Sequence, residues 1–267
     1  MKKQKIENRI KKIGTLLLAF SLCLGLGVQA ADETKAYSWY VQRNTSHMQP
    51  QPDAAQARFT AHGLYYVDRA HRTEADEKVL YLTFDAGYEN GNIAKILDVL
   101  HEEKVSAAFF VLKNILLKEH TLVEKMQQDD HLICNHTMRH KDMTTMQEEE
   151  FCRELTGLAE LYEQQYGKSM ARYYRPPEGK YNENNLRWAQ KLGYKTIFWS
   201  FAYADWDNDK QPDPAAAKKK VLDNTHNGAV ILLHPTSGTN AAILGDLIRE
   251  WKKEGYRFGT LDELVQA

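Results

Sequence analysis

Five short groups of residues in this 267-residue chain carry side chains suited to hydrolysis, and each follows a strand-like stretch. They lie at residues 83–87, 136–140, 175–179, 204–206 and 231–234. Together they offer a carboxylate for a general base, two histidines for a metal ion, an arginine, a second carboxylate, and a histidine for a general acid. These are the parts that metal-assisted hydrolysis of an amide or an ester requires.

The two histidines of the second group, His136 and His140, are four positions apart. On a helical turn this spacing places both rings on one side, within reach of one cation. The spacing alone is a weak signal, because such pairs are more often structural or solvated. Its place after a strand, in line with the other groups, favours a site for one divalent metal ion, with Zn²⁺ expected and Mn²⁺, Co²⁺ or Mg²⁺ as alternatives.

Asp85, Arg175, Asp205 and His234 are the predicted catalytic residues. Asp85 is the general base, with a helix-capping carboxylate as the alternative. Arg175 precedes two prolines that stiffen its loop, so it can aim at a buried carboxylate, although an ordinary surface turn is the alternative. His234 ends an apolar run and is the general acid, while Asp205 holds its other ring nitrogen or is a simple loop carboxylate.

These residues need elements that bring five strand ends together. Apolar runs of strand length lie at residues 79–84, 105–112, 131–134, 172–174, 195–201, 229–233 and 257–259. Helical periodicity is found between most of them, at residues 92–102, 147–166, 184–192, 214–223 and 240–253. The alternation predicts an α/β protein with a parallel sheet covered by helices. Because the polar residues follow successive strands and must converge at one end, a closed or nearly closed barrel of about seven strands is favoured.

The N-terminal part of the chain is predicted to form a signal and an arm that precede the catalytic domain. Residues 1–30 combine a basic start, a short apolar stretch and a small-residue cleavage site, which is typical of a Sec-type signal peptide, with an uncleaved anchor as the alternative. Residues 31–78 are polar and are predicted to form an extended arm that ends in a short strand or helix near residues 64–66. Residues 79–267 then form the catalytic domain, exported from the cytoplasm and without a membrane span after cleavage.

The charge of the chain limits the classes of partner that it can bind, and its cysteine content limits the disulfides that it can form. The chain has 35 basic and 36 acidic residues, and residues 1–30 hold 6 basic and 1 acidic, so the remainder has 29 and 35, a net charge of −6. This balance argues against nucleic acid or an anionic lipid surface as partner. Outside the signal only Cys134 and Cys152 remain; they could form a disulfide, but Cys134 is interpreted as a buried thiol rather than a zinc ligand. No pattern predicts an oligomer, so a monomer is expected.

From about residue 79 onward, the five groups resemble those of the polysaccharide deacetylases of carbohydrate esterase family 4, the NodB homology domain. The resemblance implies a distorted (β/α)7 TIM-like barrel and metal-dependent removal of an N-acetyl group from an amino sugar. In that family the first group has two consecutive aspartates, a base and a metal ligand. Here the pair is Asp85 and Ala86, so the base is kept and the ligand is absent. Glu89 is the nearest other carboxylate and is a candidate substitute ligand.

A narrower resemblance follows from that departure. Residues 83–91, and residues 38–40 in the arm, resemble the delta-lactam-biosynthetic de-N-acetylases, which lack the second aspartate. These proteins act on N-acetylmuramic acid of peptidoglycan glycan strands during spore cortex formation. In a second departure, Ala202 stands where the family usually has an aspartate three residues before Asp205.

Three other functions remain open on the sequence. The same chemistry could act on N-acetylglucosamine in peptidoglycan or in chitin oligomers. Alternatively, the chain is a degenerate glycan-binding protein, an interpretation that Ala86 and Ala202 keep open. The third is a different hydrolase, such as a zinc amidase. The joint presence of base, histidine pair, arginine and acid argues against a protein that only binds.

Overall fold

The computed structural model describes residues 33–61, 63–73 and 75–266, so the predicted signal peptide lies outside the described residues. Residues from Glu33 onward belong to one compact unit. The strands are β1 (Tyr37–Ser38), β2 (Val41–Gln42), β3 (Gln51–Pro52), β4 (Leu64–Tyr65), β5 (Val79–Ala86), β6 (Ala108–Val111), β7 (Leu132–Asn135), β8 (Tyr173–Tyr174), β9 (Lys180–Tyr181), β10 (Lys195–Ile197), β11 (Ala229–Leu233) and β12 (Arg257–Phe258).

Helices alternate with the strands from β5 onward. The α-helices are α1 (Asn92–Glu103), α2 (Lys113–Lys118), α3 (His120–Gln128), α4 (Glu148–Tyr166), α5 (Glu183–Lys191), α6 (Pro214–Asp223), α7 (Gly238–Lys253) and α8 (Leu261–Leu264). Short 3-10 turns lie at Ala57–Ala61, Met143–Thr145 and Pro177–Gly179. None of the helices within the described ranges is long and apolar enough to cross a membrane.

A curled parallel sheet forms the centre of the molecule. Its strand order is β11-β5-β6-β7-β8-β10-β4, and β12 pairs with β5 as well. The strands are short and apolar on both faces; β11, for example, is buried along its whole length. Such continuous burial is expected for parallel strands that are covered by helices outside and by packed side chains inside. The predicted α/β fold, a distorted barrel of about seven strands, is confirmed.

The sheet curls far enough for its ends to meet at a seam between β10 and β11. On one part of the seam, the backbone N–H of Ser200 donates to the carbonyl of Val230 at 2.9 Å, and that of Leu232 donates to the carbonyl of Phe201 at 2.9 Å. On the other part, β4 pairs with β10, and the N–H of Asp68, just beyond β4, donates to Gly228. The segment that follows β10 and the segment around β4 therefore close the barrel, each along a different part of the seam.

The N-terminal arm packs against the loops at the catalytic end of the barrel. Strand β1 pairs with β9, and the N–H of Trp39 donates to the carbonyl of Gly179 at 2.9 Å. The Trp39 indole donates to the carbonyl of Trp199 at 2.9 Å and stacks on Phe198 with ring centroids 4.6 Å apart. These contacts tie the loop after β8 to the segment after β10, and both loops contribute to the site described below.

Candidate active site

A cavity of about 760 Å³ opens at the carboxyl ends of the barrel strands. Carboxyl ends of parallel strands meet at one face of a barrel, so residues far apart in the sequence share this cavity. Six of its lining residues matter most for the chemistry or for contact with a sugar: Asp85, His136, His140, His234, Trp199 and Trp206. The other two predicted residues, Arg175 and Asp205, lie buried behind this wall and contact it.

Asp85 lies near the end of β5 with a side chain that is only 9% exposed. The Arg175 guanidinium donates from Nη1 to Asp85 Oδ1 at 2.8 Å. Burial by itself would raise the pKa of this carboxyl, but Arg175, His136 and His234 together hold the pKa below its ordinary value. The carboxylate is therefore ionised at neutral pH, as a general base has to be.

Arg175 is fully buried, which excludes the alternative of an ordinary surface turn. Besides Asp85, its guanidinium donates to Thr83 Oγ1 at 2.9 Å and to the carbonyls of Ile197 and Phe198 at 3.1 and 3.2 Å. It also lies over the ring of Phe110, 4.1 Å from the centroid. A buried charge with this many acceptors is held in one orientation, so it fixes the carboxylate that it contacts.

His136 and His140 follow β7 in an irregular loop, and the expected helical turn is wrong. Thr137 and His140 have φ values of 73° and 55°, in the left-handed region that a helix does not contain. The Asn135 side chain accepts from the N–H of Thr137 at 2.9 Å, and the Thr137 hydroxyl accepts from the N–H of His140 at 3.0 Å. The loop still brings the two imidazole rings to 5.0 Å between centroids.

The environment of His136 suits a metal ligand. Its Nδ1 lies 2.9 Å from the carbonyl of Arg175, an acceptor, so Nδ1 carries the proton and Nε2 keeps its lone pair. Burial lowers the pKa of His136 to about 4, which keeps the ring neutral. Nε2 lies 3.7 Å from Asp85 Oδ2. A neutral imidazole whose other nitrogen is held by a carbonyl is the usual state of a metal-bound histidine.

The residues at the site therefore fit a divalent cation, although they form a sparse donor set. Within the described ranges, no group of three or more His, Cys, Asp or Glu side chains could hold a metal ion. Ala86, fully buried, brings a methyl group where a second carboxylate would stand. His136 and His140 are the two nitrogen donors, so water or substrate oxygen atoms would have to supply most of the remaining ligands.

His234 and Asp205 form the second charged pair. The Asp205 carboxylate, 1% exposed, accepts from His234 Nδ1 at 2.7 Å and from the His234 backbone N–H at 2.9 Å. Burial alone would lower the pKa of His234, but the hydrogen bond and charge of Asp205, with the charge of Asp85, raise the pKa above its ordinary value. The structure thus favours the protonated form of His234, which a general acid needs.

Two other residues considered at the sequence level have different surroundings. The Glu89 carboxylate accepts from the N–H groups of Gly91 and Ile93 at 2.5 and 3.1 Å, so it caps the start of α1 rather than facing the histidine pair. Cys134 is a free thiol, fully buried in a cluster with Phe110 and Tyr173, and burial raises its pKa. Cys152 is also free, so the two cysteines are not bonded to each other.

Sequence reasoning missed two polar residues that hold the predicted ones. Thr83 accepts from Arg175 and donates to the carbonyl of Ile231 at 2.8 Å, which links β5 to β11 behind the cavity. Its place two residues before Asp85 on the same strand face was a usable signal. Asn240 donates to Asp205 at 2.6 Å from helix α7, and no sequence pattern pointed to it.

The comparisons with known proteins agree with the fold. Residues 72–197 match the family described as polysaccharide deacetylase. The peptidoglycan-N-acetylmuramic acid deacetylase PdaA of Bacillus subtilis is 35% identical over 96% of each chain. A structure of Bacillus subtilis PdaA, a family 4 carbohydrate esterase, matches with a TM-score of 0.81 and 34% identity, covering 86% of this chain and 97% of that one.

The chain therefore belongs to the polysaccharide deacetylases of carbohydrate esterase family 4. It is accordingly a hydrolase that acts on carbon–nitrogen amide bonds of polysaccharides. A more distant relative is a peptidoglycan-N-acetylglucosamine deacetylase of Bacillus cereus, 32% identical over 70% of this chain and 68% of the relative. The relatives thus include proteins named for either amino sugar of peptidoglycan.

Proposed function

We propose that this protein removes the acetyl group from N-acetylmuramic acid residues of peptidoglycan, on the route to the muramic delta-lactam of spore cortex. The observation that carries the chemistry is the pairing at one cavity of Asp85 with Arg175 and of His234 with Asp205, which lowers the pKa of Asp85 and raises that of His234. The choice of muramic acid is supported by the similarity to PdaA over 96% of both chains. Action on peptidoglycan places the protein outside the cytoplasm, in line with the signal predicted at residues 1–30.

The reaction consumes one water and releases acetate and a free amine on the sugar. A divalent ion, Zn²⁺ by preference, held by His136 and His140, supplies Lewis acidity toward the acetyl carbonyl. Asp85 accepts a proton from the water as the water oxygen bonds to the carbonyl carbon. Arg175 keeps the Asp85 carboxylate ionised and in one orientation through the 2.8 Å contact. Glu178 lines the cavity, and we expect a backbone N–H near it to donate to the developing oxyanion.

His234 completes the reaction by protonating the leaving nitrogen as the carbon–nitrogen bond breaks. The Nδ1 proton is held by Asp205, so the proton that is transferred is the one on Nε2. The proton taken by Asp85 and the proton given by His234 balance, and the enzyme returns to its starting state by proton exchange with water. Division of the two roles between residues with oppositely shifted pKa values is the usual arrangement for acid–base catalysis near neutral pH.

Aromatic residues around the cavity suit a sugar ring. Trp206 is 60% exposed, with its ring 6.0 Å from that of His234, and Tyr88 is 49% exposed on the neighbouring loop. The Asn208 side chain donates to the Tyr88 hydroxyl and so connects the loops that carry these two rings. Exposed aromatic rings beside a catalytic group can stack on a pyranose, which presents an apolar face to them.

The test is release of acetate from glycan strands that have been stripped of stem peptides. The wild type, after chelation, is assayed with and without added Zn²⁺, and the sugars are analysed by mass spectrometry for loss of one acetyl group. Asp85→Asn should lower turnover by about 10²- to 10⁴-fold, since it removes the general base. The matched control is Asp98→Asn, an exposed carboxylate on α1 that pairs with Lys125.

Each result has a separate meaning. Metal-dependent loss of acetyl groups from muramic acid supports the proposal, whereas loss from glucosamine alone moves the substrate to the other amino sugar. Binding to strands without acetate release at any metal concentration would mean that Ala86 marks a degenerate site. Full activity of Asp85→Asn would reject Asp85 as the base.

A further inference from the structure

Asn240 lies behind the Asp205–His234 pair and is 1% exposed. It belongs to the first turn of α7, and its side-chain amide points at the pair. From Nδ2 it donates to Asp205 Oδ2 at 2.6 Å and to the backbone carbonyl of His234 at 3.0 Å. One amide group thus bridges the carboxylate and the main chain of the histidine that the carboxylate holds.

The orientation of this amide is fixed by its partners. Both Nδ2 partners, a carboxylate and a carbonyl, are acceptors only, while Oδ1 accepts from the hydroxyl of Tyr203. A flipped amide would place its oxygen against the Asp205 carboxylate, so only one assignment satisfies all three contacts. Tyr203 itself lines the cavity, and the chain of contacts therefore runs from the cavity wall through Asn240 to the acid–base pair.

Helix α7 does not depend on this amide for its own anchoring. Ser237 caps the helix by accepting from the backbone N–H of Asn240 at 3.1 Å, and its hydroxyl donates to Gln211 Oε1 at 2.5 Å. The Thr239 hydroxyl donates to the carbonyl of Pro212 at 2.7 Å. These contacts hold the start of the helix without the Asn240 side chain, whose own partners are the Asp205–His234 pair and Tyr203.

We propose that Asn240 is a positioning residue for the deacetylation reaction, which locks the Asp205 carboxylate in the plane where it holds His234. The inference rests on the proposed role of His234 as general acid. With Asn240 present, Asp205 Oδ2 accepts two hydrogen bonds; without it, the backbone N–H of His234 is the one remaining donor to this oxygen among the described contacts. A buried carboxylate that loses a donor turns toward other partners or water, which loosens its contact with Nδ1.

The decisive variant is Asn240→Ala, with Asn240→Ser as a milder change that keeps one donor. We expect kcat to fall about 10- to 100-fold for Ala and less for Ser, with KM changed less than about twofold, as for other residues that orient a catalytic group. The matched control is Asn185→Ala, since Asn185 occupies the same third position of α5, is equally buried, and bonds the carbonyl of Met143 away from the pair. It should lose stability without loss of kcat.

A second readout separates positioning from stability. The charged groups that act on His234 are Asp205, Asp85 and Arg175, and only the contact with Asp205 is loosened in Asn240→Ala. The alkaline limb of the kcat/KM profile should therefore move to lower pH. An NMR titration of the His234 ring in the free protein, assigned with a His234→Gln variant, should show the same shift.

Three outcomes would overturn the inference: an unchanged alkaline limb, a limb moved to higher pH, or a loss of kcat that matches the loss of folded protein. The NMR titration needs no substrate. A wild type without deacetylase activity would therefore reject the proposed function, while the positioning of His234 by Asn240 would still be tested.

Discussion

At the scale of single residues, two carboxylates of similar chemistry are given opposite tasks by their neighbours. Asp85 faces the cavity and is kept ionised by the Arg175 guanidinium. Asp205 lies behind the cavity and uses its charge to keep His234 protonated. Neither carboxylate could exchange roles with the other, because one contacts a permanent cation and the other a titrating ring. The proposed roles of base and acid thus follow from the partner that each carboxylate has.

The pH dependence of turnover follows from these shifts. Asp85 must be ionised, so the rate rises as pH rises through its lowered pKa; His234 must be protonated, so the rate falls as pH rises through its raised pKa. Asp205→Asn should move the alkaline limb to lower pH and reduce kcat, because the partner that raises the pKa of His234 is gone. Asp207→Asn, two residues away and paired with Lys210, should change neither quantity.

A kcat/KM profile over a wide pH range with constant metal concentration checks this prediction. An alkaline limb that stays in place in Asp205→Asn would show that His234 does not depend on this carboxylate.

The sequence was sufficient to nominate six residues that the structure gathers at or behind one cavity, because each follows a strand and parallel strands end at one face. It was not sufficient for the loop that carries His136 and His140. Thr137 has a left-handed backbone, and its N–H donates to the Asn135 side chain; the four-residue spacing does not reveal either feature and was misinterpreted as a helical turn. The roles of the six residues stay predictions.

At the scale of elements, long helices with a clear apolar period could be predicted from the sequence, whereas short helices and strands could not. Helix α4 buries Phe151, Leu155 and Leu158 on one face, as its sequence predicts. Helices α2 and α3 were not predicted, because they bury only two residues each, too few to give a clear period. Strand β4 has two residues, and its pairing with β10 is imposed by tertiary packing rather than by its own sequence.

The turn after Pro177 is sensitive to a small change. Gly179 has φ of 66°, and a Cβ there would lie 2.7 Å from the Trp199 ring. Gly179→Ala should therefore destabilise the protein by more than the ~1–2 kcal/mol of left-handed strain alone, and displace Trp199 from the cavity wall. Gly193→Ala is the matched control, with φ of 80° and open space around the added methyl group.

Urea unfolding of both variants, together with kcat, measures the two contributions. Equal losses of stability in the two variants, with full activity in Gly179→Ala, would mean that the loop and Trp199 move aside without consequence.

At the scale of the whole molecule, two histidines that do not line the cavity make the free energy of unfolding depend on pH in the acidic range. Burial lowers the pKa of His131 and of His226 to about 4, from 6.5 in an unfolded chain. Since the folded state resists their protonation, the contribution of these two histidines to the free energy of unfolding is fully present above about pH 6.5. This contribution is lost as pH falls toward 4.

The measurement is urea unfolding between pH 4 and 7. Replacing both residues, His131→Gln with His226→Gln, should flatten the decline in the free energy of unfolding over this range, whatever the cost at neutral pH. His101→Gln is the control, because His101 is 67% exposed. A decline of unchanged slope in the double variant would assign the acid sensitivity to other groups.

The seam that closes the barrel has a consequence for the time course of folding. Leu64 pairs with Thr196, a partner about 130 residues further along the chain, and Asp68 meets Gly228 at a still greater separation. Contacts between such distant segments cost the most chain entropy, and this cost is offset only once most of the sheet has formed. The segment that leaves the ribosome early is therefore among the last to find its partners, and until then the edges of β10 and β11 stay unpaired and open to other chains.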